Sequence, residues 1–88
     1  MKIILITAVW CPSCLIMKPR YYDFFQKKVI EEIIEYDFDM DEDKINDLKI
    51  GVTLPVCIAM EKDREVLRII GEKKVKEIEN IFRDLEDE

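Results

Sequence analysis

Two cysteines separated by two residues, Cys11-Pro12-Ser13-Cys14, are the groups in this sequence best suited to chemistry. They directly follow an apolar run and open a stretch of helical spacing, so Cys11 falls at a helix N-terminus. The unpaired amides and the positive end of the helix dipole there favour a thiolate, which is the attacking species in disulfide exchange. Two intervening residues bring Cys14 round one turn, within reach of a mixed disulfide formed at Cys11. The spacing therefore predicts an exposed, nucleophilic Cys11 and a buried, resolving Cys14. Two other readings of the same residues stay open. A CxxC pair is often half of a four-ligand zinc or iron–sulfur site. Here Cys57 is single and the chain has no histidine, so a metal would need a second chain or external ligands. A purely structural disulfide is the third reading.

The composition narrows the field around that motif. The chain has 88 residues, 49% of them hydrophobic, and 14 basic against 20 acidic residues give a net charge of −6. That length predicts one domain over residues 1–88, and the acidic balance argues against nucleic acid, whose binding needs cations at phosphates. Without histidine there is no Ser-His-Asp triad and no Cys-His pair. The two glycines, Gly51 and Gly71, stand too far apart for a GxGxxG or Walker loop. Three cysteines make no fully paired disulfide framework, so the chain does not read as a stapled secreted mini-protein. The opening MKIILITAV looks like a short signal-peptide core, but Trp10, Cys11 and Pro12 follow where a small-residue cleavage site would stand. No run reaches the ~18–20 apolar residues needed to cross a bilayer. A soluble cytoplasmic protein, without membrane or nucleic-acid partners and monomeric, is the expectation. Charge is also uneven: residues 1–30 hold five bases and one acid, 31–47 nine acids and one base. A solvated acidic face accounts for this, and a surface for a basic partner is the sharper alternative.

The elements that must hold the cysteines are readable in outline. Residues 2–9 (KIILITAV) form a continuous β-branched run, as a central strand covered on both faces would. Residues 11–28 have helical spacing, with Leu15, Ile16, Tyr22, Phe25 and Val29 sharing much of one face. Pro12 suits the first helical turn, and Pro19 predicts a kink. Residues 33–40 alternate as a half-wet strand, 41–49 read as a short helix ending near Gly51, and 55–60 and 65–70 as a hairpin around residues 62–64. Residues 72–85 close the chain as a helix. Tyr21, Tyr22, Phe24 and Phe25 match core spacing, and Cys57 reads as a small buried hydrophobe.

Trp10-Cys11-Pro12-Ser13-Cys14 resembles the WCxxC site of the thioredoxin superfamily, and the chain looks like a small thioredoxin- or glutaredoxin-like member of it. Pro19 falls where thioredoxins place the proline of the active-site helix. Asp37-Phe38-Asp39 is similar to the acidic end of a thioredoxin strand. Gly51-Val52-Thr53-Leu54-Pro55 resembles the segment leading to the family's cis-proline, one residue shorter than usual, and Gly71 resembles the glycine before the last helix. The resemblance covers nearly the whole chain from residue 2. It implies an α/β thioredoxin-like fold, βαβ-α-ββα, with a four-stranded mixed sheet flanked by helices, lacking the N-terminal strand and helix of full-length thioredoxins.

What the resemblance implies for function is a protein-disulfide oxidoreductase in which Cys11 attacks and Cys14 resolves, forming Cys11–Cys14. Pro55 would be the cis-proline facing Cys11, and Leu54 would offer its backbone to an extended substrate. Trp10 would shield the motif, and Pro12 and Ser13 complete the contact surface. No cofactor beyond the cysteine pair and no metal is implied; the partners are a disulfide-bearing protein and an unidentified reductase. Two departures stand out. Leu5 occupies the position of the buried aspartate that moves the resolving thiol's proton in thioredoxins; Glu35 on the adjacent strand reads first as a solvated strand residue and second as a candidate replacement. Pro12 and Thr53 resemble glutaredoxin CPxC and TVP segments, yet Gly71-Glu72-Lys73 does not reproduce the glutaredoxin double glycine and following acid. No clear clamp for the glutathione carboxylates remains, though Lys18 and Arg20 are nearby bases; glutathione is kept as an alternative partner beside a non-catalytic metal-binding module.

Overall fold

A computed structural model of the chain describes residues 1–28 and 30–86. Strand β1 (Lys2–Thr7) leads into helix α1 (Pro12–Phe25) and strand β2 (Glu32–Asp37). A short helix α2 (Glu42–Ile45), prolonged by a 3-10 turn at Asn46–Leu48, precedes the hairpin of β3 (Val56–Glu61) and β4 (Arg64–Ile70), and helix α3 (Val75–Glu86) closes the fold. The sheet runs β2-β1-β3-β4, with β1 parallel to β2 and antiparallel to β3, and β3 antiparallel to β4. β1 is central because its unbroken apolar run can be buried on both faces, as parallel pairing beneath a crossover helix requires. Ile3 and Leu5 face one layer with Met17, Tyr21, Phe24 and Phe25 of α1 and Ile78 and Phe82 of α3. Ile6 and Ala8 belong to a second cluster with Ile45, Leu54, Val56 and Ile58.

The expected absence of an N-terminal strand and helix is overturned. The chain opens with β1 and α1, and the order β1-α1-β2-α2-β3-β4-α3 is a full thioredoxin-fold topology with both in place. What decides this is pairing: β1 hydrogen-bonds to strands on both sides, so the architecture is built outward from the N-terminal strand.

The buried face of α1 also differs from the expected one. Cys14, Met17, Tyr21, Phe24 and Phe25 point inward, whereas Leu15 (72% exposed) and Ile16 point out. The stretch carries more apolar residues than one face can take, so packing of Phe24 and Phe25 on Phe82, with Tyr21 stacked on Phe25, selects the register. Val29 lies outside the described residues. Pro19 sits inside the helix, which continues through it to Phe25. Helix α3 starts three residues later than expected: Glu77 Oε1 accepts from the Lys74 amide, half of a capping box that fixes the first turn there. The 3-10 turn after α2 ends before Gly51, at Lys49 with φ 56°, and Arg68 Nη2 donates to the Leu48 carbonyl at 2.8 Å, tying this end to β4.

Gly71 is the glycine whose freedom the fold uses. Its φ is +84°, its amide donates to the Pro55 carbonyl at 2.9 Å, and an added Cβ would stand 3.4 Å from Thr53 Cγ2. Gly71→Ala is expected to lower stability by about 1–2 kcal/mol, read as a fall in the urea midpoint at unchanged slope. Gly51→Ala, with open space around it and no positive φ, should leave the midpoint unchanged or slightly raised. Equal losses at both sites would contradict this account of the turn.

Candidate active site

Cys11 is the N-cap of α1, with φ −94° and ψ 109°, and Pro12 occupies the first helical position. The Cys14 amide donates to Cys11 Sγ at 3.3 Å, so sulfur takes the place a serine or aspartate oxygen usually fills at a helix start. The Cys11 amide donates in turn to the Ala8 carbonyl at 3.2 Å, setting the tight entry from β1. Cys11 and Cys14 are both free thiols, 5% and 3% exposed. The expected exposure of Cys11 is therefore not met. Its sulfur folds back over the first turn to meet the Cys14 amide and packs in the cluster holding Ala8 and Leu54. Burial, reinforced by the hydrogen bond that the Cys14 thiol donates to Cys11, pushes the Cys14 thiol up to about 11, against a downward pull from the Ala8 backbone and the Lys18 ammonium. The close dithiol is of the kind that forms a redox-active pair.

Around it the other sequence-singled residues fall as follows. Trp10 is 56% exposed and held edge-on, its Nε1 donating to Asp39 Oδ2 at 2.6 Å and its ring standing perpendicular to Phe38, centroids 6.2 Å apart. Asp39 is the partner that sequence reasoning missed. Pro12 is exposed and Ser13 half-buried. The Leu54–Pro55 peptide is cis, and Leu54 is buried in the same cluster as the two cysteines. Val9, Leu15, Ile16 and Val52 add exposed apolar side chains on the segments flanking the motif and Pro55. The acidic run after β2 builds its own turn. Asp37 Oδ1 accepts from the Asp39 and Met40 amides, and Asp41 Oδ2 accepts from the Asp37 amide. These bonds use the carboxylates of two of the acids, Asp37 and Asp41, that made the segment look like a plain charged face.

A cleft of about 370 Å³ opens on the Cys14 side, lined by Thr7, Ala8, Val9, Cys14, Leu15, Lys18, Glu35, Asp37 and Asp41. Glu35 is its most connected group. Lys18 Nζ pairs with Oε1 at 2.5 Å, Thr7 Oγ1 donates to Oε1 at 3.4 Å, and the Tyr22 hydroxyl donates to Oε2 at 3.1 Å. Arg20, the other base near the motif, donates to the Lys73 carbonyl at 2.7 Å. Cys57 pairs with Leu5 across β1 and β3 and is fully buried, which pushes its thiol up to about 12. Among the described residues no group of three or more His, Cys, Asp or Glu is arranged to hold a metal, and no helix is long and apolar enough to cross a membrane.

The sheet order, the helix-capping dithiol and the cis-proline segment together define the thioredoxin fold. Solved structures agree. Thioredoxin 1 from the thermophilic eubacterium Thermosipho africanus superposes with a TM-score of 0.81 at 22% identity, over 99% of this chain and 96% of that one. Reduced Schistosoma mansoni thioredoxin pre-protein gives 0.79 at 19% identity, over 94% of this chain and 76% of that one. Fasciola hepatica thioredoxin gives 0.78 at 22% identity, over 93% and 78%. No family profile and no curated protein sequence matches the chain.

Proposed function

We propose that the protein is a thiol–disulfide oxidoreductase acting on protein disulfides. Cys11 sulfur attacks one sulfur of the substrate disulfide, and the other leaves with the electron pair. Cys14 sulfur then attacks Cys11 Sγ, releasing the second substrate thiol and leaving a Cys11–Cys14 disulfide. The observation that carries the reading is the contact of Cys11 Sγ with the Cys14 amide, two thiols on the first turn of one helix. The exposed Trp10, Pro12 and neighbouring apolar side chains offer a surface to an extended chain. Ser13 and the backbone of Leu54, beside Pro55, would complete its contacts. A protein substrate is favoured over glutathione because the two bases near the motif are engaged, Lys18 with Glu35 and Arg20 with the Lys73 carbonyl. A separate reductase must return the pair to the dithiol.

The test compares turnover of an insulin-type disulfide with that of a glutathione mixed disulfide, dithiothreitol or glutathione being the respective terminal reductant. Insulin-type reduction should predominate at least tenfold in kcat/KM and vanish in Cys11→Ser. Faster glutathione turnover would shift the reading to a glutaredoxin-like reductase. No turnover of either, with stoichiometric zinc in the purified protein, would replace it with a metal-binding module.

A further inference from the structure

Resolution of a mixed disulfide needs the Cys14 thiolate, yet burial pushes that thiol up to about 11, so the thiol form prevails at pH 7. The acceptor for its proton cannot be on the strand beneath, where Leu5 is fully buried among apolar side chains. One strand over, the parallel register sets Glu35 beside Leu5, so the two side chains share the face beneath α1. Lys18 follows Cys14 by one helical turn and reaches that carboxylate. Glu35 and Cys14 line the same cleft, with the Glu35 side chain 29% exposed.

We propose, building on the oxidoreductase reading, that the Glu35 carboxylate fixed by Lys18 accepts the Cys14 proton across this cleft when Cys14 resolves the mixed disulfide. The Cys14 S–H bond breaks and its proton passes to Glu35. The sulfur pair attacks Cys11 Sγ, the bond from Cys11 to substrate breaks, and the departing substrate sulfur keeps that pair. Glu35 then returns the proton to the substrate thiolate. The dithiol is oxidised by two electrons and the substrate disulfide is reduced, with no further reactant. Lys18 serves twice: its charge draws the Cys14 thiol down, and its ion pair holds the carboxylate in place. Tyr22 holds Oε2, which keeps a lone pair for the transferred proton. Asp37 and Asp41 complete the charged groups of the cleft; both carry turn amides, Asp37 on Oδ1 and Asp41 on Oδ2.

Stopped-flow reaction of the fully reduced protein with Ellman's reagent separates the two steps. A first thionitrobenzoate is released as Cys11 is modified and a second as Cys14 resolves. The second phase should be nearly flat from pH 7 to 9 in the native protein. In Glu35→Gln it should be at least ~10-fold slower at pH 7, within the usual range for loss of a general base. It should then rise about tenfold per pH unit, as hydroxide becomes the only base, while Glu35→Asp restores part of the rate. The first phase should change less than twofold. A Glu35→Gln second phase within twofold of native, or one that keeps the flat profile, overturns the proposal, because a merely structural role moves amplitude and stability and not the slope. If Glu35→Gln does not fold, Lys18→Met carries the test, expected to slow the second phase at least threefold at pH 7, and an unchanged rate overturns the proposal. Absence of a second phase in the native protein would overturn the oxidoreductase reading itself, and this inference with it.

Discussion

Cys14→Ser protein should stop at a stable covalent adduct with its disulfide substrate, turning over ~10³-fold or more slowly. Well-oriented intramolecular groups reach effective molarities of ~10⁵–10⁸ M, whereas a free thiol that could replace Cys14 is present at millimolar levels. Cys11 lies at the N-cap, and the Cys14 amide already touches its sulfur, so resolution in the native protein needs a side-chain rotation and no chain movement. Serine keeps that backbone contact and removes the attacking sulfur, so the first half of the reaction should survive. Intact-mass measurement after mixing with an insulin-type disulfide should show one substrate chain bound through Cys11, released by dithiothreitol. Cys11→Ser protein should show no adduct, because desolvation pushes the Cys14 thiol up to about 11 and leaves it little thiolate with which to attack. An adduct on Cys14 in that variant would reverse the assigned order of the two sulfurs.

The parts of this arrangement that could be read in the sequence are those that depend on local chemistry. An unbroken β-branched run followed at once by CxxC and a proline places a strand, a tight entry and a helix start. The structure puts Lys2–Thr7, the Cys11 cap and Pro12 in those roles. The alternation of β2 gave its half-wet character. What could not be read depends on partners distant in sequence. Seven apolar or amphipathic residues between 15 and 25 fit a helix in several rotations, and packing against partners distant in sequence, Phe82 among them, selects the one in which Leu15 and Ile16 remain outside. The exposure of Cys11 failed for a related reason: its side chain had a competing use as a cap. The expected lack of an N-terminal strand and helix rested on the resemblance to full-length thioredoxins, whereas strand pairing on both sides of β1 is what defines the fold. Asp39 carried no signal of its own until Trp10 and the turn built by Asp37 placed the two together.

Restoring an acid at position 5 should damage this protein. Leu5 is fully buried in the central strand, in the cluster that holds Met17, Tyr21 and Cys57. Leu5→Asp removes apolar packing worth ~2–5 kcal/mol when such a residue is truncated, and buries a carboxyl group in that largely apolar cluster. A domain of this size has roughly 4–13 kcal/mol in all, so the urea midpoint at pH 7 should fall by half or more. The loss should depend on pH. An aspartate in an apolar site, with the Glu35 carboxylate in register on the neighbouring strand, has a folded pKa above the unfolded ~3.9. Its penalty is then smallest below about pH 4, where both states are neutral, and grows as pH rises through the folded value. Relative to native protein, the Leu5→Asp midpoint should therefore worsen between pH 4 and pH 7. Leu5→Asn, which cannot ionise, should lose stability by the same amount at both. A Leu5→Asp protein within 1 kcal/mol of native at pH 7 would show that the strand beneath Cys14 can still carry a charge. The fold would then have no physical need to place its acid on β2. If the pH-dependent loss is found, packing at Leu5 and the carboxylate at Glu35 are one arrangement: the acid stands one strand over because the core has closed where it would otherwise be.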